Sequence, residues 1–206
     1  MQPLDKINVL IKTGQELLSY YREPLNFCLS DFWKWSSSDI LSNATRGRFA
    51  EFIVATATNI DTTIVDEEYS EWNSFDLKTP TGIKLEIKTS AYLQSWGQEK
   101  LSEIKFSIKE TQYWDIRTNK YYRPKIRHAD VYVFCLLHHK DKQTVDPLNL
   151  NQWDFYILAT KQLNDHMGRK DSIRLKPLQN LTNRVTYENL NAEVKIKNAL
   201  NQNTNL

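Results

Sequence analysis

Glycine, cysteine and methionine are scarce in this chain, with five, two and two in 206 residues. No glycine-rich loop of the phosphate-cradling type occurs, so nucleoside triphosphate hydrolysis is not expected and no nucleotide cofactor is implied. The two cysteines, Cys28 and Cys135, lie far apart and read as reduced thiols, not as a disulfide or a zinc site. The four histidines, His128, His138, His139 and His166, show no metal-ligand spacing. A nucleophilic Ser/His/Asp or Cys/His arrangement has no local support. No apolar run is long enough to span a membrane, and the opening residues, Met1 to Lys6, lack the shape of a signal peptide. A cytoplasmic location without a membrane partner is the expectation. Charge of one sign is missing too. Lys and Arg number 27 against 25 Asp and Glu, a net +2, so attraction to nucleic acid has to come from local patches.

What the chain has in quantity is aromatic mass, with six Trp, ten Tyr and eight Phe. Its length suits one domain with one good core, expected over residues 1–199, followed by a frayed Asn-rich tail at 200–206. Apolar periodicity places an amphipathic helix at residues 4–22, with Ile7, Leu10, Ile11, Leu17 and Leu18 as its stripe and Pro24 beyond its end. Residues 31–38 read as a connection with Phe32, Trp33 and Trp35 packed beneath it. A second helix is expected at 43–57, capped by Asn43 or Thr45, with Phe49, Phe52, Ile53 and Ala57 facing the core. Residues 106–114 read as a helix opened by Ser107, with Glu110 completing a capping box. Apolar runs at 128–137 and 154–160 read as strands buried on both faces, and Thr160 is placed to cap a short helix at 161–165. A hairpin, a crossover helix and a buried strand imply a mixed sheet with helices on both sides.

The segment from Ser74 to Lys88 carries the most chemistry. Pro80-Thr81-Gly82 suits a three-residue hairpin loop, with proline presetting φ and glycine taking the left-handed position. That loop sets Lys78 opposite Lys84, Leu77 opposite Leu85 and Asp76 opposite Glu86. Alternation then puts Phe75, Leu77, Ile83, Leu85 and Ile87 on one face, and Asp76, Lys78, Lys84, Glu86 and Lys88 on the other. Two opposed carboxylates repel, and a divalent cation between them turns that cost into a site. Lys88 points the same way, where its ammonium can hold an attacking water or neutralise charge on a phosphate. An amphipathic hairpin with a solvated charged face fits this stretch equally well. Glu51, in the second turn of the 43–57 helix, is either a solvent-facing Glu or a third carboxylate reaching the cation through water.

Taken in order, Glu51 within Arg46-Gly47-Arg48-Phe49-Ala50-Glu51, Asp76 within Phe75-Asp76-Leu77, and Glu86-Ile87-Lys88 resemble the PD-(D/E)XK nuclease superfamily over residues 40–160. Phe75 stands where the motif's proline would be, a common departure in that family. The resemblance implies a restriction-endonuclease-like α/β fold with an αβββαβ core, its mixed central sheet flanked by helices. It implies metal-dependent phosphodiester hydrolysis with Mg²⁺, Mn²⁺ substituting. Asp76 and Glu86 would ligate the metal with the backbone carbonyl of Ile87, Glu51 would hold a water or a second ion, and Lys88 would assist the nucleophile. Gln94 is the candidate for the polar residue that the family often carries beyond its lysine. DNA, in double-stranded form, is the commonest substrate, and a homodimer is a frequent arrangement. The first helix or residues 185–197 are candidate interfaces. A catalytically silent binding or scaffold protein that keeps the fold is the alternative.

Residues 117–127 hold five basic residues and two tyrosines just before the first buried strand, a composition suited to backbone contact and base stacking. Lys120, Arg123, Lys125 and Arg127 are its candidate phosphate contacts, with Arg46 and Arg48 as a second set. Arg169, Lys170, Arg174 and Lys176 form a weaker third. Sequence specificity would lie in loops such as 95–101 or in the segment after Lys170.

Overall fold

In a computed structural model, the described residues are 7, 10–63, 74–115 and 120–202. A hairpin of β1 (Leu17–Tyr20) and β2 (Glu23–Cys28) runs directly into α1 (Leu29–Ser37), and α2 (Asn43–Ala57) follows. Next come β3 (Leu77–Lys78), β4 (Lys84–Ala91), β5 (Lys105–Ser107), and the hairpin of β6 (Thr111–Asp115) and β7 (Lys120–Ile126). The chain then forms β8 (Val131–Leu137), β9 (Trp153–Ala159), α3 (Thr160–Met167), β10 (Ser172–Arg174), α4 (Leu175–Leu181), β11 (Arg184–Val185) and α5 (Leu190–Gln202).

The main sheet has the order β11-β9-β8-β4-β3. β4 and β8 are parallel, and the other neighbours are antiparallel, so the sheet is mixed. Every residue of β8 is buried, as its near-continuous apolar run requires of a strand covered on both faces. One face, with Leu85, Ile87, Val133 and Ile157, packs against Ala50, Ile53 and Val54 of α2 and Leu190 and Val194 of α5. The other face, with Tyr132, Phe134 and Leu158, packs against Phe106 and Ile108, Leu163 of α3, Ile173 and Leu178 of α4. The fold is therefore α/β, a mixed central sheet with helices on both sides.

Several local expectations give way. The helix expected at 4–22 is replaced over its described second half by β1 and the turn that leads into β2; residues 1–6, 8 and 9 lie outside the described set. Gly14 adopts φ +92, which a helix cannot accommodate. The Glu16 carboxylate accepts from the Thr13 and Gly14 N–H groups, each at 2.9 Å, and fixes the turn there. Tyr21 and Arg22, at φ +49 and +69, then close a two-residue hairpin. Residues 29–37 form a helix and not a connection, and Phe32, Trp33 and Trp35 remain largely exposed.

At the start of the segment expected as a helix at 106–114, Phe106 and Ile108 are buried, as is Ile104 just before it. That spacing of two is a strand signature, and β5 pairs with β10 through Phe106 and Ile173. Among the described residues, the crossover from β4 to β8 is thus built from extended segments, not from a helix. Ser42 caps α2, its Oγ accepting from the Thr45 N–H at 3.4 Å. The face that α2 buries runs through Arg46, Ala50, Ile53 and Val54, and Phe52 is exposed. Thr160 does not cap α3; its hydroxyl donates to the Ala129 carbonyl at 2.5 Å. α5 continues through Gln202, and Asn201 ties it down by donating to the Asp130 carbonyl and accepting from the Lys161 N–H.

Candidate active site

The hairpin forms as its loop chemistry dictates. Gly82 takes φ +86, and its N–H donates to the Thr79 carbonyl at 2.8 Å. β3 and β4 pair in the expected register, Leu77 with Leu85 and Lys78 with Lys84. Asp76 does not extend that register to Glu86: its N–H donates to the carbonyl of Leu85, the partner of Leu77, at 2.9 Å, so the pairing shifts at the strand's start. Leu77, Ile83, Leu85 and Ile87 enter the α2-side core. Phe75 does not join them. The chain bends ahead of β3, and Phe75 packs with the opposite core, under the Lys84 ammonium at 5.4 Å.

Glu86 and Lys88 project from the face opposite α2, in register with Tyr132 and Phe134 of β8. The Lys88 ammonium lies 2.6 Å from Glu86 Oε1 and 3.7 Å from Asp76 Oδ2. The Ile87 N–H donates to Asp76 Oδ2 at 2.6 Å and holds that carboxylate toward β4. Burial, then the charge of Asp76, pushes the Glu86 carboxyl above its usual range against the pull of Lys88. Burial works against the Lys88 ammonium, but Asp76 and Glu86 outweigh it and raise its pKa. The three groups are about a quarter exposed or less, at 27, 19 and 27 % for Asp76, Glu86 and Lys88.

Glu51 stands further off. It hangs from α2, on the other side of the sheet, pairs with Arg48 at 3.6 Å, and reaches Glu86 only as the weakest of the charges acting on it. Among the described residues, no three His, Cys, Asp or Glu side chains gather closely enough to hold a metal ion. Gln94 is turned inward. Its amide donates to the Ala91 carbonyl and Ser102 Oγ, each at 3.2 Å, and accepts from Arg46 at 3.3 Å. In this geometry it braces the chain after β4 and does not face Asp76.

Two of the basic candidates are corrected. Arg46 is 3 % exposed, and its guanidinium donates to the Leu41 carbonyl at 2.6 Å and Asn43 Oδ1 at 2.5 Å. Burial lowers its pKa, with Asp39 opposing. Arg127 is buried and donates to the Ile108 carbonyl at 2.7 Å, Asn164 Oδ1 at 2.6 Å and the Lys170 carbonyl at 3.0 Å. Both guanidiniums join backbone segments, and neither is presented to a phosphate. Lys120 and Lys125 are exposed on β7, beside Tyr121 at 63 % exposure, which packs on Trp114. The side chain of Arg123 and residues 116–119 lie outside the described set. Arg48 is exposed and shared with Glu51.

Tyr132 lies beside the candidate site, and nothing in the sequence marked it. It pairs with Glu86 across the parallel β4–β8 ladder, and burial, then the Glu86 charge, pushes its hydroxyl pKa up, so it stays protonated beside the carboxylates. In the sequence it is one letter in an apolar run.

With this geometry in place, the comparisons decide the family. The model of the bacteriophage T4 endonuclease IV family matches residues 13–176. The chain belongs to that family. No curated protein matches it. As a member of the endonuclease IV family it is a hydrolytic nuclease, and nucleic acid is its substrate class. The matched span contains the whole Asp76–Glu86–Lys88 hairpin, β8 and β9, and starts just ahead of the β1–β2 hairpin.

Proposed function

We propose that the protein is a metal-dependent DNA endonuclease of the PD-(D/E)XK type, with Asp76, Glu86 and Lys88 as its catalytic set. The observation that carries this reading is the convergence of two carboxylates on one ammonium, 2.6 and 3.7 Å away, on a half-buried hairpin. The donor chemistry suits a hard divalent cation. Lys88 already shows that one cationic group can sit within reach of Asp76 and Glu86, and burial, then the Asp76 charge, pushes the Glu86 carboxyl up. Asp76, Glu86 and the Ile87 carbonyl would hold Mg²⁺ or Mn²⁺. When bound, the ion would supply charge stabilisation at the scissile phosphate and a more acidic water.

The chain's own groups account for the rest. Ile87 fixes Asp76 by its N–H. Lys88 would orient the attacking water or neutralise negative charge developing on the phosphate, in a partly dry site where such a charge acts strongly. Tyr132 offers a protonated hydroxyl next to Glu86. Lys120, Lys125 and exposed Tyr121 present charge and a stacking face for a polynucleotide.

Cleavage of supercoiled plasmid and of a single-stranded oligonucleotide, with Mg²⁺ or Mn²⁺, tests the reading. Wild type should cut, and Lys88→Met protein should lose about 10²–10³ of the rate while still responding to the metal. Equal rates would remove Lys88 from the mechanism.

A further inference from the structure

Residues 14–37 carry almost no core of their own. No residue of β1 or α1 is buried, and in β2 only Cys28 is half-covered. Among the described residues the two strands pair only with each other, and none of their side chains joins either core cluster. A lone two-stranded hairpin and a nine-residue helix are each marginal in water. Yet their surface is apolar. Tyr20, Tyr21, Phe27, Phe32, Trp33 and Trp35 are 67, 85, 62, 52, 42 and 84 % exposed.

The size of that surface is informative. At about 200 Å² per aromatic side chain, these six leave roughly 800 Å² uncovered. One partner in a standard protein–protein interface contributes about 800 Å². Charge narrows the occupant further. The segment carries Arg22 and Lys34 against Glu16, Glu23 and Asp31, so it lacks the basic excess that accompanies base-stacking surfaces. The family match begins at residue 13, so this segment lies within the matched domain.

We infer that residues 14–37 are a self-association surface whose occupant is the same segment of a second copy. A two-fold interface has to be self-complementary, and an apolar patch of nearly balanced charge meets its own copy without strong repulsion. On the hairpin, Tyr20, Leu25 and Phe27 share one face, with Glu23 opposite Tyr20 at its turn end, and supply the contact. β1 carries no proline, so its outer edge also keeps every N–H needed for pairing with the second hairpin. This inference stands independently of the catalytic reading.

Sedimentation velocity of the full chain, from about 1 to about 100 μM, tests it. Wild type should shift from monomer to dimer within that range, and Phe27→Glu and Trp35→Glu should each hold the chain monomeric, with the main melting transition kept. Hydrogen exchange of wild-type protein gives a readout that needs no substitution: amides at 17–28 should slow as concentration rises. A monomer throughout the range, a dimer that survives both substitutions, or exchange at 17–28 independent of concentration would overturn the proposal.

Discussion

Replacing Lys88 by Met keeps the side chain's length and removes the one cation between Asp76 and Glu86. At an effective dielectric of about 20, the ammonium's attractions at 2.6 and 3.7 Å are roughly 6 and 4.5 kcal/mol before desolvation. Most of that is offset by the cost of burying the ammonium. Removing one partner of a buried ionic group costs about 3–5 kcal/mol, and the partial exposure of this cluster moves the expectation to about 2–3 kcal/mol. For a chain of this size that lowers Tm by about 5–10 °C.

The loss should depend on pH, with a definite sign. A carboxyl whose folded pKa is raised contributes most below its ordinary value of 4.5 and loses that contribution as pH rises through the folded value. Without Lys88, Glu86 faces Asp76 and Glu51 unopposed, beside the neutral Tyr132, and its pKa climbs further. Lys88→Met protein should therefore melt close to wild type at pH 5 and well below it at pH 8. Mg²⁺ should restore part of the difference at pH 8, since a ligand of the native state alone stabilises it. Melting curves at the two pH values, with and without Mg²⁺, read all of this. A Tm deficit that is absent at pH 8, or equal at both pH values, would refute the electrostatic account.

Other outcomes follow from the two classes of basic residue. Arg127→Ala strands the buried Ile108 carbonyl and removes the bonds to Asn164 and Lys170, and should cost about 2–3 kcal/mol in urea unfolding. Lys125→Ala should change stability by less than about 0.5 kcal/mol, while lowering the log–log salt slope of DNA binding by about one. In thiol titration of native protein, half-exposed Cys28 should react and buried Cys135 should not until denaturant is added, because burial also pushes the Cys135 thiol up.

The hairpin was legible because its register is local: three loop residues set it, and alternation does the rest. β8 and β9 were legible because strands covered on both faces have almost no polar letters. The N-terminal segment was misread because Leu17 and Leu18 satisfy a helical stripe as readily as a strand, while the feature that decides, φ +92 at Gly14, belongs to the backbone. At 104–108 the alternation of Ile104, Phe106 and Ile108 was present in the sequence, and the Ser107–Glu110 spacing masked it. Arg46 and Arg127 show the limit of charge patterning. The letters give the charge, but only the tertiary structure shows carbonyls gathered around it. Tyr132 comes to lie beside the site through a parallel pairing with Glu86 that no local pattern encodes.

The most direct measurement is the initial rate of DNA cleavage by Asp76→Asn protein at saturating Mg²⁺. Asparagine can still accept the Ile87 N–H, so the hairpin should hold while one of the two charges is lost. The account predicts a fall of at least about a hundredfold with the fold intact by circular dichroism. Cleavage at the wild-type rate would contradict it, and would place the nuclease centre elsewhere in the chain.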